Sequence, residues 1–397
     1  MINEFTLIVN KWKVLTNWKS IRITQSMDNL CGSISLKTAM FNPQDPLIEG
    51  VFLENEYLAL INGQLVGNGY IEKIPVAYNA TSMSIDFAGR DKLCDIVDCH
   101  VDRTLEAKSV TPEFWFTKLI SPFGINLVID KTAIKEMKTK IPGKGVSAEV
   151  GETILEAILK VCHQIGVMPI SMGDGNLTIT KGPSKIVVGK LSSDMVLEAR
   201  FNQSNTDRFG EYICIGGDNG GDEKSKPEDW MKIGAHFNDD KIQRHRPYVI
   251  IEDRSTNAAS CMTRALFERN YRAGHSRSLE YVVEGWTKPI SQVNWKINEE
   301  IMVLDYNLFI FRPLLISEVV FTYSQGSGFK TKLKLVHPST YAANIDIDKY
   351  NTLSDGTAGD SVVERKTPGA SRFNTSRINV VMPRFINRGG SLTRGGR

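Results

Sequence analysis

Residues 298–337 read NEEIMVLDYNLFIFRPLLISEVVFTYSQGSGFKTKLKLVH, and residues 55–89 read NEYLALINGQLVGNGYIEKIPVAYNATSMSIDFAG. Each stretch opens with Asn-Glu and an apolar strand, turns through a short loop and enters a second strand. Ile71, Ile74, Val76 and Tyr78 match Ile316, Val319, Phe321 and Tyr323 at one constant offset. A polar turn follows in both (79–82 and 324–328), and a third alternating strand closes each unit. Alternation with a period of two marks strands that bury one face. A second pair lies upstream of the first. Arg22–Ser26, with Gly32 and Ile34, matches Arg200–Ser204, with Gly210 and Tyr212. Repeats outrank local features in deciding a fold. These two describe a small antiparallel β-domain present twice.

Working outward, the chain reads as a multidomain protein of mixed β and α+β class. It comprises two duplicated antiparallel β-barrel-like domains, an inserted α/β domain, a second helical insertion and an extended C-terminal tail. The expected spans are 1–100 for the first β domain and 101–194 for the α/β insertion. The second β domain is split over 195–216 and 276–341, around the insertion 217–275. The basic tail is 342–397. Asn62-Gly63 is a two-residue hairpin signal, because both residue types tolerate positive φ. Thr111-Pro112-Glu113 starts a helix, with Thr as cap, Pro in the first turn and Glu at the positive end. Residues 130–150 read as a Lys/Gly-rich loop. Gly151–Ile165 carries Ile154, Leu155, Ile158, Leu159, Cys162 and Ile165 on one helical face, and Gly166 is placed to end it. Residues 167–181 form a hairpin about Gly173–Asn176. The second β copy begins near Met195, and its first hairpin is expected to run to Gly216. Asn257–Arg272 is a further helix, which Gly274 is expected to stop.

Bulk properties narrow the class. The chain has 397 residues, 41% hydrophobic and 23% charged, ordinary values for a globular protein with real cores. No apolar run approaches the roughly 18 residues of a membrane helix, and the N-terminus lacks the basic-then-apolar order of a signal peptide. The net charge of +3 hides an asymmetry. Residues 365–397 hold eight Lys/Arg and no acid, leaving 40 basic against 45 acidic residues in 1–364. The six cysteines are scattered; most sit among apolar neighbours, where free Cys behaves as a small hydrophobe.

Searching for chemistry yields little. Pro142-Gly143-Lys144-Gly145 lacks the spacing of a phosphate loop. The Gly/Asp-rich stretch 216–228 lacks the ligand spacing of an EF-hand. Glu252 and Asp253 are adjacent on a strand and so point to opposite faces, which does not suit paired acid–base catalysis. His236 and His245 have no metal-ligand spacing. No catalytic, cofactor or metal residues are therefore assigned. Gln243–Tyr248 (QRHRPY) and the tail arginines carry charge suited to phosphates, but the tail has too few aromatics for a stacking platform. Arg372, Arg377, Arg384, Phe385, Arg388 and Arg394 are read instead as a partner-contact tail.

Several ordered stretches give the chain a family likeness. They are Gly69–Ile71 through Phe87–Cys99; Gly151–Ile154 through Gly173–Thr180; Arg208–Tyr212; and the run from Arg244–Pro247 through Arg264-Ala265, Gly285-Trp286 and Trp295–Asn298 to Leu315-Ile316. In these the chain resembles the central baseplate hub proteins of Mu-like contractile-tailed phages, within the wider late-control D group. The likeness spans residues 15–341; the basic tail and the 216–228 loop depart from it. It implies a homotrimer with a central channel, in which three chains with two similar β-domains each make a ring of six. Such a ring would adapt a six-fold tail tube to a three-fold central spike and form part of the DNA ejection channel. The implied partners are the spike, a tube or distal tube protein, and tape-measure and baseplate wedge proteins, with DNA only in transit. The implied location is the virion tail baseplate, assembled in the host cytoplasm. Two other readings stand beside it: the hub of a headless tail-like bacteriocin or injection system, and a tail-associated cell-wall hydrolase.

Overall fold

A computed structural model describes residues 3–15, 18–40, 51–80, 83–141, 145–183, 187–216, 233–252, 258–289 and 291–342. The basic tail, the 217–228 stretch, Pro142–Lys144 and Asp253 lie outside these. The chain begins with strands β1 (Phe5–Val9), β2 (Lys13–Leu15), β3 (Ser20–Ser26), β4 (Ser33–Met40), β5 (Glu56–Ile61), β6 (Gln64–Lys73), β7 (Val76–Tyr78) and β8 (Met83–Asp91). A mixed region follows: α1 (Cys94–Asp98), β9 (Leu105–Ala107), α2 (Pro112–Ile120), β10 (Leu127–Ile129), α3 (Ile134–Lys138), β11 (Val146–Ala148), α4 (Ile154–Ile165), β12 (Met168–Ser171) and β13 (Leu177–Thr180). Then come β14 (Val187–Ser192), β15 (Val196–Gln203), β16 (Glu211–Gly216), β17 (Ile233–Asn238), β18 (Pro247–Glu252) and α5 (Ala258–His275). Strands β19 (Arg277–Glu284), β20 (Glu300–Asp305), β21 (Ile310–Ser324) and β22 (Gly328–Val336) complete the described chain.

Fourteen strands share one sheet, whose main path is β15-β19-β22-β21-β3-β4-β8-β6-β5-β1-β2. Among the described residues this path is open, so no closed barrel is found. The alternation seen in the sequence is the burial pattern of these strands. In β5, Tyr57, Ala59 and Ile61 are buried; in β22, Thr331, Leu333 and Leu335 are. One continuous core, from Leu7 and Ile23 through Phe87 to Trp286, Phe321 and Leu335, lies against both halves of the sheet.

The two halves run in parallel detail. Reading β3, β4, β8, β6, β5 in pairing order gives the neighbours of the first half; β15, β19, β22, β21, β20 gives those of the second. Tyr70 pairs with Arg90 and Ile71 with Gly89 before the register slips, with Lys73 next opposite Ala88. Likewise Leu315 pairs with Val336 and Ile316 with Leu335 before the slip to Glu318 opposite Lys334. Glu72 and Ser317 are thus the extra residues of two equivalent bulges. Glu54 (φ 65°) and Asn298 (φ 61°) are both left-handed, and each donates its N–H to the bulge-flanking carbonyl, Ile71 O at 2.8 Å and Ile316 O at 3.0 Å. This geometric correspondence aligns Asn55-Glu56 with Glu299-Glu300, one residue off the Asn-Glu match read from sequence. One strand differs: β1 is antiparallel to β5, whereas β14 is parallel to β20. The hairpin partner β2 accounts for this, because it adds one chain reversal before β3.

Residues 93–181 pack a second core around Trp115, Phe116, Ile158 and Cys162. Thr111 caps α2 on the Phe114 N–H. Thr153 and Glu156 form a reciprocal capping box on α4, which therefore begins at Ile154, and Gly166 (φ 71°) ends it. The stretch 130–150, read as a loop, contains α3 and β11, which pairs with β9. The hairpin β12–β13 forms as read, and β10 adds to it in parallel.

The expected hairpin from Met195 to Gly216 does not form. Strand β15 pairs with β19, while β16 joins β17 and β18 in a separate three-stranded sheet. That sheet packs a small core of Tyr212, Cys214, Ala235 and Ile250 against Cys261 and Ala265 of α5. Strand β16 alternates as a strand of the large sheet would, but alternation does not specify a partner. The likeness of Gly32 and Ile34 to Gly210 and Tyr212 is thus coincidental: Ile34 pairs with Gly89 as Leu279 of β19 pairs with Leu335. Nor does Gly274 stop α5, which continues to His275. A Cβ there would lie 2.0 Å from Thr340 Oγ1, so the glycine admits the 338–341 turn.

Candidate assembly interface

The two halves meet where β21 passes β3. Strand β21 is long enough to hold two neighbours on one edge: Ile310–Leu315 pair with β20, and Glu318–Ser324 pair with β3. The β3 register runs from Glu318 opposite Ser26 to Ser324 opposite Ser20, and Met27 N donates to Ser317 O at 2.8 Å. Pairing buries one face of each strand: Ile21 and Ile23 of β3, Val319 and Phe321 of β21.

A polar cluster fastens this junction. Tyr341 Oη donates to Asp28 Oδ1 at 2.6 Å. His275 Nε2 lies 3.2 Å from the same oxygen, and Lys334 Nζ lies 3.3 Å from Oδ2. Burial opposes the charge on Asp28, but bonding to His275, with Tyr341 and Lys334, outweighs it and holds the carboxyl well below its ordinary range. Four segments, the β3–β4 turn, α5, β22 and the 338–341 turn, converge on one carboxylate. No local pattern in the sequence marks it, because its members are scattered from position 28 to 341.

Strands β7 and β15 present the opposite situation. Among the described residues β7 pairs only with β8 and β15 only with β19. Val76 is 53% exposed, Tyr78 84% and Leu197 55%. Unpaired strand edges are adhesive unless something covers them. Further apolar side chains project elsewhere: Trp12 beside the β1–β2 turn, Phe52 before β5, and Tyr306, Phe309 and Phe311 about the β20–β21 turn.

The residues weighed for chemistry fall into structural roles. Exposed His236 and His245 each stand 3.6 Å from the Glu211 carboxylate. Among the described residues no group of three or more His, Cys, Asp or Glu is arranged to hold a metal ion. In the QRHRPY stretch, Arg246 donates to Asn205 O and Thr206 O at 2.9 and 2.8 Å and lies over Phe209. Tyr248 supports the Arg272 guanidinium at 4.1 Å. Glu252 ends β18. Cys94, Cys162, Cys214 and Cys261 are buried thiols, Cys31 is half-buried and Cys99 is exposed. Arg208 and Asp239, both buried, make a two-point ion pair at 2.6 and 2.9 Å. No helix among the described residues is long and apolar enough to cross a membrane.

Comparison with known proteins agrees with this arrangement. Residues 5–91 match the Mu phage baseplate assembly protein GpP-like N-terminal domain. Residues 93–181 match the second domain of the baseplate hub protein gp44-like family. Residues 256–344 match the fourth domain of Mu phage baseplate assembly protein GpP. The chain belongs to the Mu-like baseplate hub proteins. It is 28% identical over 374 residues to baseplate hub protein gp44 of Escherichia phage Mu, spanning 92% of this chain and 96% of that one. The 43 kDa tail protein of prophage MuSo2 from Shewanella oneidensis is 26% identical, with a TM-score of 0.71 over 85% of this chain and 99% of that one. A tail protein from Neisseria meningitidis MC58, 19% identical, shares the fold at a TM-score of 0.73 over 86% of this chain and 98% of its own. For this baseplate hub protein, a structural component of the phage tail, the relevant sites are therefore surfaces. The partner-contact arginines of the tail lie outside the described residues.

Proposed function

We propose that this hub protein is a trimeric adaptor, carrying no enzymatic activity, that joins a six-fold tail tube to a three-fold central spike and lines part of the DNA ejection channel. One observation carries the reading. The two halves share strand order, bulge position and a left-handed residue at the same place, which we take as duplication of one domain. Three chains so built present six like domains to a tube and three like chains to a spike. The acidic balance of residues 1–364 suits a conduit that DNA must leave, since a lumen dense in Lys and Arg would retain phosphates. The domains are assigned as β1–β8, the mixed region 93–181, the second β-domain β14–β15 with β19–β22, and the lobe β16–α5 within it. The basic tail, with Arg372, Arg377, Arg384, Phe385, Arg388 and Arg394, is assigned to contact with a neighbouring tail component.

Light scattering of the purified protein tests the reading. A mass of three chains, and co-elution with a spike protein from the same tail, are expected. A strict monomer at high concentration that binds no spike overturns it.

A further inference from the structure

The junction between the two halves predicts how one chain meets the next. If the halves are copies, each surface that β21 and β3 bury in one another has an uncovered equivalent. The equivalent of β21 beyond its bulge is the stretch Lys73–Asn79, which contains β7. The equivalent of β3 is β15, since Arg22 opposite Ser35 corresponds to Arg200 opposite Glu280. Both are open edges among the described residues. Burial follows the same logic. Phe321 is fully buried and its counterpart Val76 is exposed; Ile21 is buried and its counterpart Ala199 is exposed.

We propose that β7 of one chain pairs antiparallel with β15 of a second copy, in the register that β21 and β3 adopt within the chain. Val76 then faces Phe201, Ala77 faces Arg200 and Tyr78 faces Ala199 of the next copy. The inference rests on the trimer reading and specifies its interface: three such junctions alternate with three β21–β3 junctions around the ring.

Backbone direction supports this. Asp86 N donates to Pro75 O at 3.0 Å, so residue 75, and by alternation residue 77, turn their backbone groups toward β8. Ile74, Val76 and Tyr78 turn theirs to the open edge. Pro75 therefore withholds no donor from the junction, although proline in a strand ordinarily does. Side chains agree as well. Ile21 and Ile23 lie on the buried face of β3 while Arg22 is exposed on the other. Correspondingly, Val76, Tyr78, Ala199 and Phe201 meet on the apolar side, and Ala77 and Arg200 meet on the solvent side. The bulge matches too: Met27 N donates to Ser317 O within the chain, and the equivalents are Asn205 N of one copy and Glu72 O of the other.

Cysteine cross-linking tests the register. Ala77 and Arg200 would form a non-hydrogen-bonded pair with Cα atoms about 4.5 Å apart, within the range a disulfide spans. Both positions are exposed in the chain, so Ala77→Cys with Arg200→Cys leaves its core untouched. In a Cys99→Ser background, mild oxidation should convert the protein to covalently linked trimers that reductant dissolves. Each single variant, and the out-of-register pair Ala77→Cys with Phe201→Cys, should not link. Val76→Pro removes one outward N–H and should weaken the trimer at least roughly tenfold, about one hydrogen bond at each junction. A trimer that does not cross-link in register, or that Val76→Pro leaves unchanged, overturns the edge pairing while the trimer stands. A parent protein that is monomeric overturns both.

Discussion

Asp28 illustrates how much one side chain holds together and how little the sequence announces it. Its carboxylate is depressed in the folded protein, so the unfolded chain takes up its proton first as pH falls. The stabilisation is complete above the ordinary value of 3.8 and lost as the solution is acidified through and below it. Asp28→Asn should cost about 1.5–3 kcal/mol at neutral pH, the range for hydrogen bonds to charge. It should also flatten the thermal midpoint against pH between about 4 and 2, where the parent declines. A parallel decline in both proteins would refute this role. The Arg208–Asp239 pair makes a second case. Both groups are withdrawn from water, so Asp239→Ala strands a buried guanidinium and should destabilise the 204–276 lobe by about 3–5 kcal/mol. Urea unfolding followed by the hydrogen exchange of β16 and β17 would measure it. Neither site was legible in the sequence, because a carboxylate's partners are chosen by tertiary approach and leave no spacing to read.

Elements were more legible than their pairings. Alternation located β5, β6, β8 and β20–β22, and the apolar face within Gly151–Ile165, closed by Gly166, located α4 to within three residues. What failed was the assignment of β16 to β15. Both candidate partners, β16 and β19, alternate, and only packing against α5 or against β22 tells them apart. Gly274 was misread for a related reason. A glycine near a helix end reads as a stop, yet here it is a point of contact. Gly274→Ala should not lengthen the helix. It should push the 338–341 turn away and cost about 1–3 kcal/mol, as overpacking does. Calorimetry would detect the loss, and Thr340→Ala should recover part of it by making room. No recovery would count against the contact.

For the whole molecule, the repeat carried the reading. Its signal lay in a constant offset between distant stretches, a property of the chain rather than of any residue. The tail behaves differently. Its composition announced basic charge but no partner. Ala342 O accepts from the buried Asn270 side chain at 2.8 Å, so the boundary for removing the tail is after Ala342. That truncation should leave the number of chains per particle in solution unchanged and reduce incorporation into assembled tails. Normal incorporation would show that the tail anchors nothing.

The connection between β3 and β4 differs from that between their counterparts β15 and β19. Strands β3 and β4 are joined by residues 27–32, whereas β15 and β19 are separated by residues 204–276, whose described part is a lobe with its own sheet and helix. In a ring of three chains every second position would carry this lobe, like alternate hours marked on a dial. A six-fold disc seated on the lobe-free surface would find two settings, 60° apart, nearly indistinguishable. A three-fold partner reaching the lobes would find only one. The second insertion would thus act as a rotational key, fixing the angular phase of one neighbour while leaving the other indifferent to it.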